Sequence, residues 1–311
     1  MHSFFKSVAS RVDSLLTGLS TKSTVSLQHE QYTVQQVLGE GGFSYVYLVK
    51  HAKDGKLFAL KKVKCSFGKE SLKKAMREVE AYSRFSNKNL MQLITYELNE
   101  NEGHKAVFML LPHYARGSLQ EMIDTCRTRN SQIPESRIVL WCRGILNGLQ
   151  ALHNGYSGKR FMHMDLKPGN MLLCDNMHDV VLGDFGSLSE SPRLLQTHPQ
   201  VLAFQDEVEE NCTMAFRAPE LFNIHRDMTI TEKIDIWSFG CVLYSLMYLI
   251  GPFERYQMEQ GGSLALAISK GSYNIPETPE YDQKLHNVLN VCLTKNVESR
   301  PSVPELLPFF D

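Results

Sequence analysis

The hydrophobic pattern of this 311-residue chain changes character near residue 112, and that change constrains the fold more than any other feature. Upstream, the runs YTVQQVLGE, SYVYLVKHA, LFALKKVK and AVFMLLP carry β-branched and aromatic residues at strand length. Between them, KESLKKAMREVEAYSRF repeats Leu72, Met76, Val79 and Phe85 at helical spacing. Downstream, to about residue 308, stretches such as SRIVLWCRGILNGLQALHNG and KIDIWSFGCVLYSLMYL read as helices. Strands followed by helices define an α+β layout, with a cleft expected where the two zones join. Residues 1–31 form a separate, Ser/Thr-rich extension with an amphipathic start.

Composition narrows the classes further. Apolar residues make up 43% of the chain, enough for a sizeable core. A formal net charge of −1 gives no basic surface for nucleic acid. Seven cysteines, at positions 65, 126, 142, 174, 212, 241 and 292, form no CxxC pair. This points to reduced thiols in a cytoplasmic chain rather than a disulfide framework or a zinc site. The longest apolar run, CVLYSLMYLIG, is too short to span a bilayer and reads as a buried helix.

Four motifs carry chemistry. In LGEGGFSYVYL, residues Leu38, Gly39, Glu40, Gly41, Gly42, Phe43, Ser44, Tyr45 and Val46 lie between two strand-like runs. Glycines there let backbone N–H groups approach phosphate oxygens, although an ordinary glycine-rich hairpin reads the same way. Next, Ala59 and Lys61 in FALKK share one face of a strand. Seventeen residues on, Glu78 occupies a helix, where it would hold Lys61 toward phosphates. Glu80, two residues on and therefore on another helix face, is the rival partner.

The strongest signal is HMDLKPGNMLL, followed by GDFGS. Asp165 suits the base that takes or orients a hydroxyl proton, and Lys167 suits charge neutralisation on a transferring phosphoryl group. Asn170 and, fourteen residues later, Asp184 suit a metal. Phosphoryl transfer needs positioning and charge cancellation, which these residue types supply. Ala218-Pro219-Glu220, Asp235 and Arg300 complete the set as structural residues. Glu220 is expected to pair with Arg300, and Asp235 to bind the backbone around Asp165.

Residues 32 to about 308 resemble a eukaryotic protein kinase domain, with nearly every motif present in order. The stretches LGEGGFSYVYLV, CTMAFRAPELF and GPFE followed by GGSLALAI are similar to the Numb-associated kinase family. Within it they most resemble the myristoylated and palmitoylated serine/threonine kinase branch. The resemblance implies a bilobal fold: a small antiparallel β lobe with one helix (32–111), a hinge (112–116) and a larger, mostly α-helical lobe (117–308). It also implies ATP, Mg2+ and transfer to serine or threonine of protein substrates. Thr213 would bridge Asp165 and Lys167, and Leu111 would be the gatekeeper. The Pro112 carbonyl and the Tyr114 N–H would bond the adenine edge. The alternative is a pseudokinase or scaffold that binds partners without turnover.

Two departures from the family pattern stand out. Met164 replaces the arginine that in many kinases receives an activation-segment phosphate. The segment from Asp184 to Glu220 must then be ordered otherwise, and VLAFQDEVEENC, through Leu202 and Val208, offers a short helix. Constitutive activity, independent of activation-loop phosphorylation, is the expectation. At the N-terminus, His2 stands where myristoylation needs glycine, and no cysteine precedes Cys65. Phe4, Phe5, Val8, Val12, Leu15, Leu16 and Leu19 instead fall near a 3.6-residue period. Three readings stay open for this helix: docking on the kinase, peripheral contact of residues 1–20 with an internal membrane, or a transit peptide.

Overall fold

A computed structural model describes residues 19–42, 44–65, 68–101 and 104–311. Most of the expected N-terminal helix, together with Phe43, lies outside the described residues. The chain divides into two compact units, Met1–Ser86 with Met91–His113 and Asn87–Leu90 with Tyr114–Asp311.

The first unit is a six-stranded antiparallel sheet with one helix. Its strands are β1 (Thr24–Leu27), β2 (Glu30–Glu40), β3 (Ser44–His51), β4 (Leu57–Lys64), β5 (Thr95–Asn101) and β6 (His104–Pro112), in the order β1-β2-β3-β4-β6-β5. Strand periodicity sorts its residues onto two faces. One face buries Leu27, Tyr32, Val34, Tyr47, Val49, Leu60, Ala106, Phe108 and Leu110, and Leu19 joins this core. On the other face, helix α1 (Gly68–Arg84) packs against β6. Its buried stripe is Ala75, Val79 and Tyr82, while the expected Leu72 and Met76 are only half-buried.

Two strands were not legible beforehand. The Ser/Thr-rich composition assigns residues 24–31 to the N-terminal extension, yet Thr24–Leu27 pairs with β2 through a tight turn. The turn residues Gln28 and His29 have φ of 48° and 67°, the left-handed values that match hairpin twist. Gln28 then bonds strand β5, N–H to Glu97 Oε2 (2.8 Å) and Nε2 to the Tyr96 carbonyl (3.2 Å). The two edges of the sheet therefore curl toward each other and enclose the core. Strand β5, TYELNEN, exposes Tyr96 and Leu98, so burial left no alternating signature in its sequence.

The second unit is mostly helical. Its helices are α2 (Leu119–Thr128), α3 (Glu135–Asn154), α4 (His198–Asn211), α5 (Lys233–Tyr248), α6 (Pro252–Gln260), α7 (Leu264–Lys270), α8 (Gln283–Cys292) and α9 (Val303–Leu306). Helix α5 is buried from Ile234 to Tyr248 and packs against α3 and α8. Its sequence is apolar all round because it has no solvent face. Among the described residues no single helix is long and apolar enough to cross a membrane.

Short strand pairs carry the loops of interest. They are β7 (Arg160–Met162) with β10 (Ser189–Ser191), β8 (Met171–Leu173) with β9 (Val180–Leu182), and β11 (Arg193–Leu195) with β12 (Met228–Ile230). The β8–β9 ribbon explains the fourteen-residue spacing between Asn170 and Asp184. Met171 pairs with Leu182, and the Gly183 N–H donates to the Asn170 carbonyl at 2.9 Å. Both residues thus sit at one end of the same hairpin.

Candidate active site

In the first unit, ladder register puts Val46, Ala59, Lys61 and Leu111 on one sheet face. Val46 lies opposite Lys61, and Ala59 lies opposite Leu111. Lys61 Nζ donates to Glu78 Oε1 at 2.7 Å, with both side chains nearly removed from solvent. Glu80, the rival, pairs instead with Arg84 one turn along α1. The helix face decided between them, because only Glu78 joins the buried stripe. The next residue, Lys62, points to the opposite, core face beside Tyr45 and Phe108. Burial pulls its amine down to about 8.

The 38–46 stretch is the β2–β3 hairpin, closed by Gly41 N–H to the Ser44 carbonyl at 2.8 Å. Gly39 pairs with Val46, and Glu40 with Tyr45. Neither Gly39 nor Gly42 needs a positive φ, and a Cβ built on either meets no described atom within 4 Å. Backbone conformation and protein packing therefore do not require glycine there. That open space leaves the backbone accessible, which is what a phosphate-covering loop asks for. Leu38 is exposed beside them, Leu111 is buried in β6, and Pro112 ends that strand.

In the second unit the reactive groups converge on Asp165. Its Oδ1 accepts from the Thr213 hydroxyl at 2.7 Å and from the Thr213 N–H at 3.0 Å. Its Oδ2 lies 2.8 Å from Lys167 Nζ and accepts from Asn170 Nδ2 at 3.1 Å. Lys167 also donates to the Thr213 hydroxyl at 2.8 Å, which completes the bridge expected of Thr213. Asn170 Nδ2 further bonds the Asp165 carbonyl at 2.9 Å. Tyr114 belongs to this unit, and burial pushes its phenol up to about 12, so its ring is neutral.

Backbone around Asp165 is held from below. Asp235, fully buried at the start of α5, accepts the His163 N–H at 2.8 Å, the Met164 N–H at 3.0 Å and His153 Nε2 at 2.9 Å. Met164 itself is buried with φ of 67°. His163 links this loop to the next one. Its Nε2 donates to the Gly183 carbonyl at 3.1 Å, so Nδ1 is left to accept the Asp165 N–H at 3.4 Å. The Ser187 hydroxyl returns to the His163 carbonyl at 2.8 Å. Asp184 adopts a left-handed φ of 59°, and its side chain is exposed. Aspartate tolerates that conformation better than most residues, and strain of this kind concentrates at working sites. His163 and Ser187 had no motif role beforehand, since only the fold brings them together.

Lower down, Arg300 bonds both Glu220 oxygens at 2.7 Å, as expected. The segment from Asp184 to Glu220 is ordered without Met164 taking part in ion pairs. Thr197 and Gln200 form a capping box at the start of α4. The expected helix forms; Val201, Phe204 and Val208 pack inward, whereas Leu202 is 48% exposed. The helical phase puts Leu202 on the outer face. Arg193 pairs with Glu207 at 2.7 Å and lies 4.5 Å over the Phe204 ring.

Among the described residues no group of three or more His, Cys, Asp or Glu forms a cage. One carboxylate, Asp184, and one amide oxygen, on Asn170, stand at the end of the β8–β9 ribbon. That set fits Mg2+ held chiefly by phosphates, since Mg2+ keeps waters and takes few protein ligands.

A lysine–glutamate pair, a glycine hairpin open to a ligand, and an Asp–Lys–Thr–Asn network beside an Asp184 loop define a phosphotransferase of the protein kinase class. The chain belongs to the protein kinase domain family, whose model matches residues 32–309. Serine/threonine-protein kinase ppk13 of Schizosaccharomyces pombe is 38% identical, over 100% of this chain and 98% of its own length. Serine/threonine-protein kinase 16 of Mus musculus is 36% identical, over 92% of each chain. Serine/threonine-protein kinase ENV7 of Saccharomyces cerevisiae is 30% identical, again over 92% of each. Family membership brings with it the general use of ATP and Mg2+.

Proposed function

We propose that this chain is a catalytically active serine/threonine kinase that works without phosphorylation of its activation segment. The observation that carries the activity is the full hydrogen-bond complement of Asp165, which fixes both carboxylate oxygens before any acceptor arrives. Asp165 orients the acceptor hydroxyl and takes its proton, and Lys167 neutralises charge beside it. Lys61, held by Glu78, engages nucleotide phosphates, and Asn170 and Asp184 hold Mg2+. ATP with its metal supplies the phosphoryl group and offsets the charge that develops on it. The pseudokinase alternative lacks support from any missing group.

Serine/threonine choice rests on Lys167 and Thr213 and on the names of the relatives. Assignment to the Numb-associated family, in the myristoylated and palmitoylated branch, rests on the motif resemblance. Independence from phosphorylation rests on Met164 and on the protein-internal ties of α4. The test is autophosphorylation and acceptor phosphorylation with labelled ATP, comparing wild type with Asp165→Asn and Lys61→Met. Wild type no faster than the variants refutes catalysis. Loss of wild-type activity after phosphatase treatment refutes the regulatory half. A cytoplasmic location with peripheral membrane contact through residues 1–20 is the second proposal. Absence of co-flotation of the whole protein with anionic liposomes rejects it.

A further inference from the structure

We infer that Arg217 is a positioning residue for Asp165, acting through the single peptide group that joins Cys212 to Thr213. The inference rests on the catalytic reading above and goes beyond it. Helix α4 ends at Asn211, where the Val208 carbonyl takes the Cys212 N–H at 2.9 Å and keeps a second lone pair for a donor outside the helix. A short turn at Met214–Phe216 reverses the chain, so the Arg217 side chain reaches back to that helix end. Arg217 Nη2 donates to the Val208 carbonyl at 3.1 Å and to the Cys212 carbonyl at 2.7 Å.

The Cys212 carbonyl belongs to the same peptide group as the Thr213 N–H, which donates to Asp165 Oδ1 at 3.0 Å. A peptide is planar, so fixing its carbonyl fixes the direction of its N–H. The result is a chain of cation, peptide dipole and carboxylate in which each bond polarises the next. Moving the peptide also moves the Thr213 hydroxyl, which bonds the same carboxylate oxygen.

Arg217 is otherwise a costly residue. It is 9% exposed, its guanidinium lies 5.3 Å from the Phe222 ring, and its Nε is buried without a partner among the described residues. Among the described residues no carboxylate forms an ion pair with it. The negative end of the α4 dipole stands in as counter-charge. A buried cation spent on two carbonyls, one of them a single peptide away from the base, is a device for orienting that base. It also gives the segment an internal cation where Met164 offers none.

The test uses the full chain, with Arg217→Met, Arg217→Gln and Arg217→Lys. Steady-state kinetics are measured with ATP and casein as acceptor, and amide exchange is measured at Thr213, His163 and Met164. For Arg217→Met, kcat is expected to fall about 10- to 100-fold, the range for losing a charge-assisted hydrogen bond, with KM for ATP unchanged. Thr213 loses exchange protection while His163 and Met164, held by Asp235, keep theirs. Arg217→Lys recovers part of both losses. Arg217→Gln, which keeps a neutral donor, carries the test if the methionine variant does not fold. A folded Met or Gln variant with wild-type kcat and wild-type Thr213 protection overturns the inference. Inactive wild type, or activity lost on phosphatase treatment, refutes the proposed function instead. The Thr213 exchange comparison still decides the role of Arg217 in that event.

Discussion

Replacing Glu220 by glutamine removes one charge from a deeply buried ion pair of the second unit. Arg300 has 0% and Glu220 10% side-chain exposure, and two parallel bonds of 2.7 Å join them. Arg300 also donates to the carbonyls of Thr294 (2.9 Å) and Lys233 (3.1 Å) and lies 5.1 Å from the Trp237 ring. Glutamine keeps the shape but offers one acceptor oxygen, so one guanidinium N–H is orphaned and the cation loses its counter-charge. Breaking a buried pair by removing one partner costs about 3–5 kcal/mol. For a unit of this size each kcal/mol moves Tm by roughly 2–4 °C, so a fall of about 6–20 °C is expected. Differential scanning calorimetry of Glu220→Gln measures it directly. The double variant Glu220→Met with Arg300→Met should recover most of the loss, because two apolar side chains leave no charge unpaired. A Glu220→Gln midpoint within about 2 °C of wild type, less than 1 kcal/mol on that scale, would refute the reasoning.

Three further outcomes follow from the same geometry. Gly39→Ala should leave Tm unchanged or slightly raised, because its Cβ meets nothing, while KM for ATP rises; a lowered Tm with unchanged KM would mean a structural glycine. Asp235→Asn leaves one acceptor oxygen for three donors, which costs about 1–3 kcal/mol for each orphaned N–H. Both Tm and kcat should fall, and an unchanged kcat would show that the loop holds its geometry without the clamp. The third outcome concerns His51, whose two ring nitrogens face Asp54 (2.6 Å) and Glu30 (3.2 Å), with Lys53, Lys56 and Tyr32 around the cluster. Hydrogen bonds to Asp54 and then Glu30 hold its imidazole above the usual value. Its stabilising contribution is present below the ordinary histidine pKa, about 6.5, and is lost as pH rises through the raised folded value. Glu30, lowered mainly by Lys53, and Asp54, lowered mainly by His51, lose theirs as pH falls through the carboxylate range. Urea midpoints should therefore decline from pH 6.5 upward in wild type and stay flat in His51→Asn; parallel curves would reject the assignment.

The sequence alone determined the division into a strand zone and a helix zone and most of the reactive set. The reason is that local periodicity is written into side chains: Ala59 and Lys61 share a strand face, and Glu78 rather than Glu80 lies on the buried side of its helix. The HMDLKPGN and GDFGS spacing was legible as a motif, and a two-stranded ribbon of that length is its physical reason, since it returns the chain from Asn170 to Asp184 at the same end. Tertiary structure alone decided what depends on partners distant in sequence. Strand β5 exposes its apolar residues, so its ladder to β6, not its pattern, makes it a strand. Residues 24–31 join the sheet through the ladder between β1 and β2, and Gln28 ties them to β5 across 68 positions. The phase of α4 put Leu202 outward and Phe204 inward, under Arg193. Asp235 meets His163 and Met164 from 72 and 71 residues away, and Arg217 reaches Asp165 only through a peptide that neither owns. Hydrogen bonds of this kind leave no periodic trace in a chain, so the fold that closes them is the only place they can be read.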